Sequence, residues 1–197
     1  MGINKTVVLG ALPSNVWCVY ADGYRKAAVI LIENVKESYD VNTVCFPIIA
    51  LARQYIELTT KEIISYGQYL EDHQVKQGTH DISNLWACAK SYLKKHIKDA
   101  THSDIKLIDD FIEELNKIDP TSESSRYPYI KSKNKPSGSQ RSFSSDHIWI
   151  DLDVLNEKLS AIKEKFEMIT NSLSILVDFE MEFRMEMRNE LVGEFNP

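Results

Sequence analysis

The chain has 197 residues, of which 23 are Lys or Arg and 29 are Asp or Glu, so its formal net charge is −6. This length suits one domain that buries a sizeable core without disulfide or metal staples. A content of 43% apolar and 26% charged residues excludes wholesale disorder, collagen-like repeats and a disulfide scaffold. No apolar run reaches the roughly 18 residues of a membrane span.

The first residues lack the basic start and continuous apolar stretch of a secretory signal, so we expect a cytoplasmic protein with no membrane association. Three cysteines, Cys18, Cys45 and Cys88, are widely separated and have apolar neighbours. This pattern predicts buried free thiols rather than disulfides or metal ligands.

Charge is distributed unevenly along the chain. Residues 151–197 contain five basic and eleven acidic side chains, so the C-terminal quarter carries the whole net charge. Residues 126–141 contain five basic side chains and no acidic one. Sequence-independent binding of nucleic acid depends on neutralising phosphates with Lys and Arg, so any contact with RNA is expected at this basic patch.

Apolar residues spaced three and four apart predict four helices before residue 120. The first covers residues 17–35, and the second begins near Pro47, a residue suited to a first helical turn, and reaches about Gly67. The third begins with Thr79 or Asp81 as its cap.

The fourth helix is predicted to begin at Ser103 and to end before Asp119 and Pro120. Residues 121–145 then contain nine serines with two prolines and a glycine, which predicts one long Ser/Lys-rich loop. Long loops inside compact domains are frequently functional, so this segment is the first candidate for a site. No strand is predicted, apart from a short extended piece at residues 148–150.

From Asp151 onward, apolar residues follow an almost perfect 3.5-residue repeat over five heptads. A helix of about 40 residues would span about 60 Å, longer than the other helices can cover. Its end is therefore expected to project and to contact a partner, and we expect a homodimer.

The sequence contains no phosphate loop, dinucleotide fingerprint, nucleophile elbow or HExxH motif. Its five histidines have no spacing typical of a metal site, so neither a metal nor a cofactor is expected.

Arg141 and His147 are separated by five residues just before the last predicted helix. A histidine can act as general acid or base, and an arginine can stabilise the pentavalent phosphate of RNA cleavage by the 2′-hydroxyl. This spacing makes them catalytic candidates, although a loop arginine and a helix-cap histidine explain it equally simply.

The basic patch begins with Arg126 and Tyr127. These two residues and the lysines that follow them form a candidate RNA-binding set. The arginine would bind phosphate and the tyrosine would stack on a base. The lysines of the set are Lys131, Lys133 and Lys135. The alternative is a loop anchored by its tyrosines, with solvated lysines.

Arg53 and Glu57 lie four residues apart in the second predicted helix and share one face. The simplest interpretation is a polar core built on an intrahelical ion pair. A functional role is the alternative.

Four pieces of the sequence together resemble a group of bacterial HEPN-like proteins. They are ADGYRKAA at 21–28, FPII at 46–49 followed by RQYIEL at 53–58, HDI at 80–82 followed by LW at 85–86, and SRYP at 125–128. The resemblance covers roughly residues 17–165. It implies an all-α bundle of about five helices that dimerises, with residues 1–177 as the HEPN-like domain and 178–197 as an acidic extension of the last helix.

Many HEPN proteins are metal-independent endoribonucleases of defence or toxin–antitoxin modules, with an active motif of Arg, four to six residues, then His. The resemblance therefore implies that Arg141 and His147 are that pair and that RNA is the substrate. The second hypothesis is a non-catalytic HEPN-like dimer that binds a partner protein of such a module, or nucleic acid, for interaction or regulation.

Overall fold

The computed structural model describes residues 17–35, 38–73, 79–97, 102–120, 122–131, 139–141 and 148–194. Within them the chain is an all-α bundle with a long C-terminal helix, as predicted. Its helices are α1 (Trp17–Asn34), α2 (Ser38–Leu70), α3 (Ile82–His96), α4 (His102–Ile118) and α5 (Leu152–Glu194). Two strands of three residues, β1 (Tyr129–Lys131) and β2 (Ser139–Arg141), form an antiparallel pair between α4 and α5.

Helix α2 is the centre of the bundle and packs against each of the other four helices. Its 33 residues span about 50 Å, and three of its isoleucines, Ile48, Ile56 and Ile63, are completely buried. Apolar side chains at the predicted three- and four-residue spacing of α5 pack onto this helix. The buried ones are Leu155, Leu159, Ile162, Phe166, Ile169, Leu173 and Val177.

The Phe166 ring joins three helices at the middle of this core. Its centroid lies 6.0 Å from the ring of Tyr55 and 5.9 Å from that of Trp86, and both pairs meet edge to face. Such pairs add to the free energy gained by burying the rings. The ring of Phe166 therefore packs α5 against α2 and α3, close to Arg53 and Glu57 in the sequence of α2.

Two predicted helix boundaries need correction. Helix α2 begins at Ser38, nine residues before Pro47, and the proline lies inside the helix. A proline lacks the N–H that would bond the carbonyl of Thr43, but both residues are exposed, so water can satisfy that carbonyl. Helix α4 begins at His102, one residue earlier than predicted.

Other helix ends agree with the sequence. Asp81 caps α3 by accepting hydrogen bonds from the backbone of Ser83 and Asn84, and α4 ends at Ile118, directly before Asp119. Gly67 lies within the last turn of α2.

The prediction of an uninterrupted loop at 121–145 is wrong in part, because β1 and β2 lie within it. Their register places Tyr129 opposite Arg141 and Lys131 opposite Ser139. Strands of three residues are too short to show an alternating apolar pattern, which is why the sequence did not predict them. Residues 148–150, expected to be extended, belong to neither a helix nor a strand.

The cysteines are free, as expected, but they are not buried as predicted. Cys18 and Cys88 are exposed and Cys45 is partly exposed. Their apolar sequence neighbours lie on other faces of the same helices, so those neighbours do not report the environment of the thiol.

The last turns of α5 leave the core after Val177 but still contact the end of α2. Arg184 forms ion pairs with Asp72 and Glu180, and its guanidinium lies 5.1 Å from the ring centroid of Tyr69. Within the described ranges, no helix has the length and apolar character needed to cross a membrane.

The close approach of α2 to α3 at Gly67 gives a prediction about stability. A Cβ at this position would overlap the side chain of Tyr92, so we expect Gly67→Ala to lower the free energy of unfolding by about 1–3 kcal/mol. Urea unfolding measures this value.

Gly23 is the matched control, because it is exposed in α1 and a Cβ there would meet nothing within 4 Å. Gly23→Ala is expected to stabilise the protein by about 0.5–1 kcal/mol. Equal effects of the two substitutions would contradict the described packing at Gly67.

Candidate functional site

The guanidinium of Arg53 is buried in the bundle, and its residue is only 3% exposed. Its Nε donates to the hydroxyl of Ser122, and its Nη1 donates to the side-chain oxygen of Asn116 at 2.9 Å. Its Nη2 is fully buried and has no hydrogen-bond partner among the described residues. Leaving a buried donor unsatisfied costs about 1–3 kcal/mol, so Nη2 is the donor of this guanidinium whose hydrogen-bonding capacity the described residues leave unused.

No carboxylate of the described chain forms an ion pair with Arg53. Burial lowers the pKa of its guanidinium, and the largest opposing effect is the negative charge of Asp119 at longer range. An arginine still keeps its proton under ordinary conditions. The site therefore contains a buried positive charge without a contacting anion.

The segment after α4 is folded around the carboxylate of Asp119, which is completely buried. One oxygen accepts from the backbone N–H of Ser124 at 3.0 Å. The other accepts from the backbone N–H and the hydroxyl of Ser125, at 3.2 and 2.6 Å. These bonds hold Asp119 and residues 122–125 in a tight turn, and Ser122 of this turn contacts Arg53 of α2.

Ser122 lies within this turn and connects two arginines. Its hydroxyl accepts from Arg53, and its backbone carbonyl accepts from the Nε of Arg126. Its φ of 61° is in the left-handed region, which costs a residue with a side chain about 1–2 kcal/mol. Strained residues of this kind cluster at functional sites.

Glu57 and His80 form a second polar pair beside Arg53. The Nδ1 of His80 lies 2.8 Å from the carboxylate of Glu57, which also accepts from Lys61 at 2.7 Å. Glu57 is buried, whereas 79% of the imidazole is exposed. When Nδ1 carries the proton, the carboxylate fixes this tautomer and Nε2 is left as a proton acceptor.

The intrahelical ion pair expected between Arg53 and Glu57 is therefore not formed. Within the described part of the chain, Arg53 bonds Ser122 and Asn116, and Glu57 bonds Lys61 and His80. A four-residue spacing places two side chains on one face, but it does not decide which partners they take.

These groups line a cavity of about 100 Å³. Its walls are formed by Ala50, Arg53, Gln54, Glu57, His80, Ser122, Ser125 and Arg126. The cavity offers two guanidinium groups for an anion and an oriented imidazole for proton transfer. The single carboxylate within it is already paired with Lys61 and His80.

The predicted RNA-binding residues are only partly described. Arg126 lines the cavity and lies 5.8 Å from the ring centroid of Tyr127, which is exposed. The backbone of Lys131 belongs to β1, while Lys133 and Lys135 lie outside the described residues. Strand β1 thus begins three residues after Arg126.

The predicted catalytic pair is described in one backbone position only. The backbone of Arg141 is in β2, opposite Tyr129, whereas its side chain and all of His147 lie outside the described part of the chain. Their catalytic role therefore stays a prediction.

Sequence reasoning did not assign a role to His80 or to Asp119. His80 is 23 residues from Glu57, so no local spacing connects them. The one sequence signal was the position of His80 directly before the cap of α3, within the HDI piece of the resemblance.

A larger groove of about 550 Å³ lies among α1, α2 and α5. Its rim charges are paired with each other, Lys26 with Asp22 and Lys163 with Glu167. Burial raises the pKa of Glu62 at its wall, which favours a neutral carboxyl there. Because its charges are satisfied internally, this groove is a weaker candidate than the Arg53 cavity.

Comparison with protein-family models, curated proteins and solved structures found no match to this chain.

The role of Asp119 gives a prediction about stability. Asp119→Ala would leave the Ser124 and Ser125 donors unsatisfied and remove the charge that offsets Arg53, so we expect a loss of about 3 kcal/mol in the free energy of unfolding. Asp110→Ala is the control, because that exposed carboxylate forms a surface ion pair with Lys106 and its loss should change stability by less than about 0.5 kcal/mol. If Asp119→Ala lowers the free energy of unfolding as little as Asp110→Ala does, the described organisation of the turn is contradicted.

Proposed function

We propose that this protein is a metal-independent endoribonuclease that cleaves RNA at the cavity lined by Arg53, Glu57, His80 and Arg126. The observation that carries the proposal is the uncommitted, buried Nη2 of Arg53 beside an imidazole oriented by a carboxylate. A phosphodiester supplies the anion that Arg53 lacks, and its chemistry uses a proton acceptor at the position of His80.

The reaction needs three operations. A base takes the proton of the RNA 2′-hydroxyl, and the oxygen attacks the adjacent phosphorus. The 5′-oxygen of the next nucleotide then leaves with a proton, giving a 2′,3′-cyclic phosphate and a 5′-hydroxyl. His80 serves as acid or base, with its tautomer set by Glu57, and the guanidinium groups of Arg53 and Arg126 stabilise the extra negative charge of the pentavalent phosphate.

The basic segment beside the cavity suits a single-stranded substrate. The Tyr127 ring is exposed beside Arg126, so a base could stack on it, and the sequence that follows contains the further basic residues Lys131, Lys133 and Lys135. Arg141 and His147, the catalytic pair predicted from the sequence, are the alternative active site for the same reaction.

The resemblance to HEPN-like proteins supports a homodimer that acts in the cytoplasm as part of a defence or toxin–antitoxin module. The second candidate function is a non-catalytic module that binds nucleic acid or a partner protein. It is favoured by the high exposure of the His80 ring, because catalytic groups are usually more enclosed than this one.

The test is cleavage of several single-stranded RNAs in EDTA by the wild type and by His80→Ala. Loss of an acid–base group lowers such rates by about 10²–10⁴-fold, so we expect at least a 100-fold slower cleavage and products ending in a 2′,3′-cyclic phosphate. His73→Ala is the matched control, since that histidine is exposed and lies beyond the end of α2, outside the cavity that Arg53 lines.

His147→Ala, measured in parallel, separates the two candidate sites. If His147→Ala abolishes cleavage and His80→Ala does not, the pair predicted from the sequence is the active site and the Arg53 cavity is not. If the wild type and the folded variants bind RNA but none of them cleaves it, the non-catalytic module is favoured.

A further inference from the structure

The last turns of α5 carry a stripe of exposed apolar side chains, which we call the α5 stripe. It consists of Ile175, Leu176, Phe179, Phe183 and Met187. Phe179 is 71% exposed, Ile175 is 68% exposed and Phe183 is 52% exposed. Ile175, Phe179, Phe183 and Met187 follow at spacings of four, and Leu176 lies three residues before Phe179, so all five lie along one side of the helix. Large aromatic side chains with such exposure indicate a surface that contacts another molecule.

The α5 stripe lies on a different side of the helix from the one that meets α2. Val177 is the last buried residue of α5, and Arg184 reaches back to Asp72 and Tyr69 at the end of α2. At 100° per residue, Phe179 and Phe183 point more than a quarter of a turn away from Arg184. The contacts that hold this part of the helix in place thus leave the stripe uncovered by the described chain.

Acidic side chains surround the α5 stripe. Residues 178–190 contain five acidic residues, Asp178, Glu180, Glu182, Glu186 and Glu190, and two basic ones, Arg184 and Arg188. One of the two basic residues, Arg184, is already paired with Asp72 and Glu180. The surface around the stripe is therefore strongly negative.

We infer that the α5 stripe binds a basic amphipathic helix of a partner protein. Apolar residues of that helix pack between Phe179 and Phe183, and its Lys and Arg side chains pair with Glu182 and Glu186. A second copy of this chain fits less well, because it would bring the same acidic residues against each other. This surface is independent of the Arg53 cavity.

The test is fluorescence anisotropy of a labelled 18-residue peptide of Leu and Lys, with Leu on one helical face, titrated with the full chain. We expect binding that is lost at high salt and is at least 10-fold weaker for the double variant Phe179→Ser, Phe183→Ser. The double variant Glu182→Gln, Glu186→Gln is expected to weaken binding by a similar factor. Ile30→Ser is the matched control, since Ile30 is exposed on α1 and should leave binding unchanged.

A scrambled peptide of the same composition, without an apolar face, should bind at least 10-fold more weakly. Circular dichroism of each variant confirms that the helices are intact. The inference is overturned if the amphipathic peptide does not bind up to about 100 μM, or if either double variant binds it as tightly as the wild type does. Sedimentation that shows a dimer dissociated by Phe179→Ser, Phe183→Ser would also overturn it, because the stripe would then belong to a second copy.

Discussion

A buried guanidinium without a contacting carboxylate is the constraint on which the site depends. Arg53 lies on the central helix, so the surrounding chain must satisfy its donors and offset its charge from elsewhere. The negative charge of Asp119 offsets the charge of Arg53 at a distance. The same carboxylate accepts the hydrogen bonds of the turn in which Ser122 contacts both arginines. One donor of Arg53 is nevertheless left over. In the proposed function, the phosphodiester of an RNA substrate supplies the anion that this guanidinium lacks.

Most of the fold could be predicted from the sequence, because it depends on the spacing of apolar residues. The repeat that begins at Asp151 predicted both the length of α5 and the buried position of Phe166. The prediction was wrong where local preference yielded to packing, as at Pro47, which lies inside α2 because its neighbours are needed in the core. The short strand β1 at Tyr129–Lys131 was not predicted, because three residues are too few to show an alternating apolar pattern.

The site was predictable only in its separate parts. Arg53, Glu57 and Arg126 were recognised from residue type and local spacing, but the partners of Arg53 and one partner of Glu57 come from segments distant in sequence. His80 reaches Glu57 across 23 residues, and only the packing of α2 against α3 determines that contact. The position of Ser122 between two arginines depends on a left-handed backbone that no sequence pattern announced. Local patterns in the sequence therefore identified the charged residues, but they did not predict the contacts that bring these residues together.

The central claim is that Arg53 binds the phosphate of the substrate, and NMR of the ¹⁵N-labelled arginine side chains tests it without any substitution. The account predicts that the Arg53 side-chain signals shift saturably with inorganic phosphate and with a 2′-O-methyl RNA oligonucleotide, which cannot be cleaved. The signals of Arg184, already paired with Asp72 and Glu180, should remain unchanged. If the RNA binds while the Arg53 signals do not move, the guanidinium has a purely structural role and the proposed site is wrong.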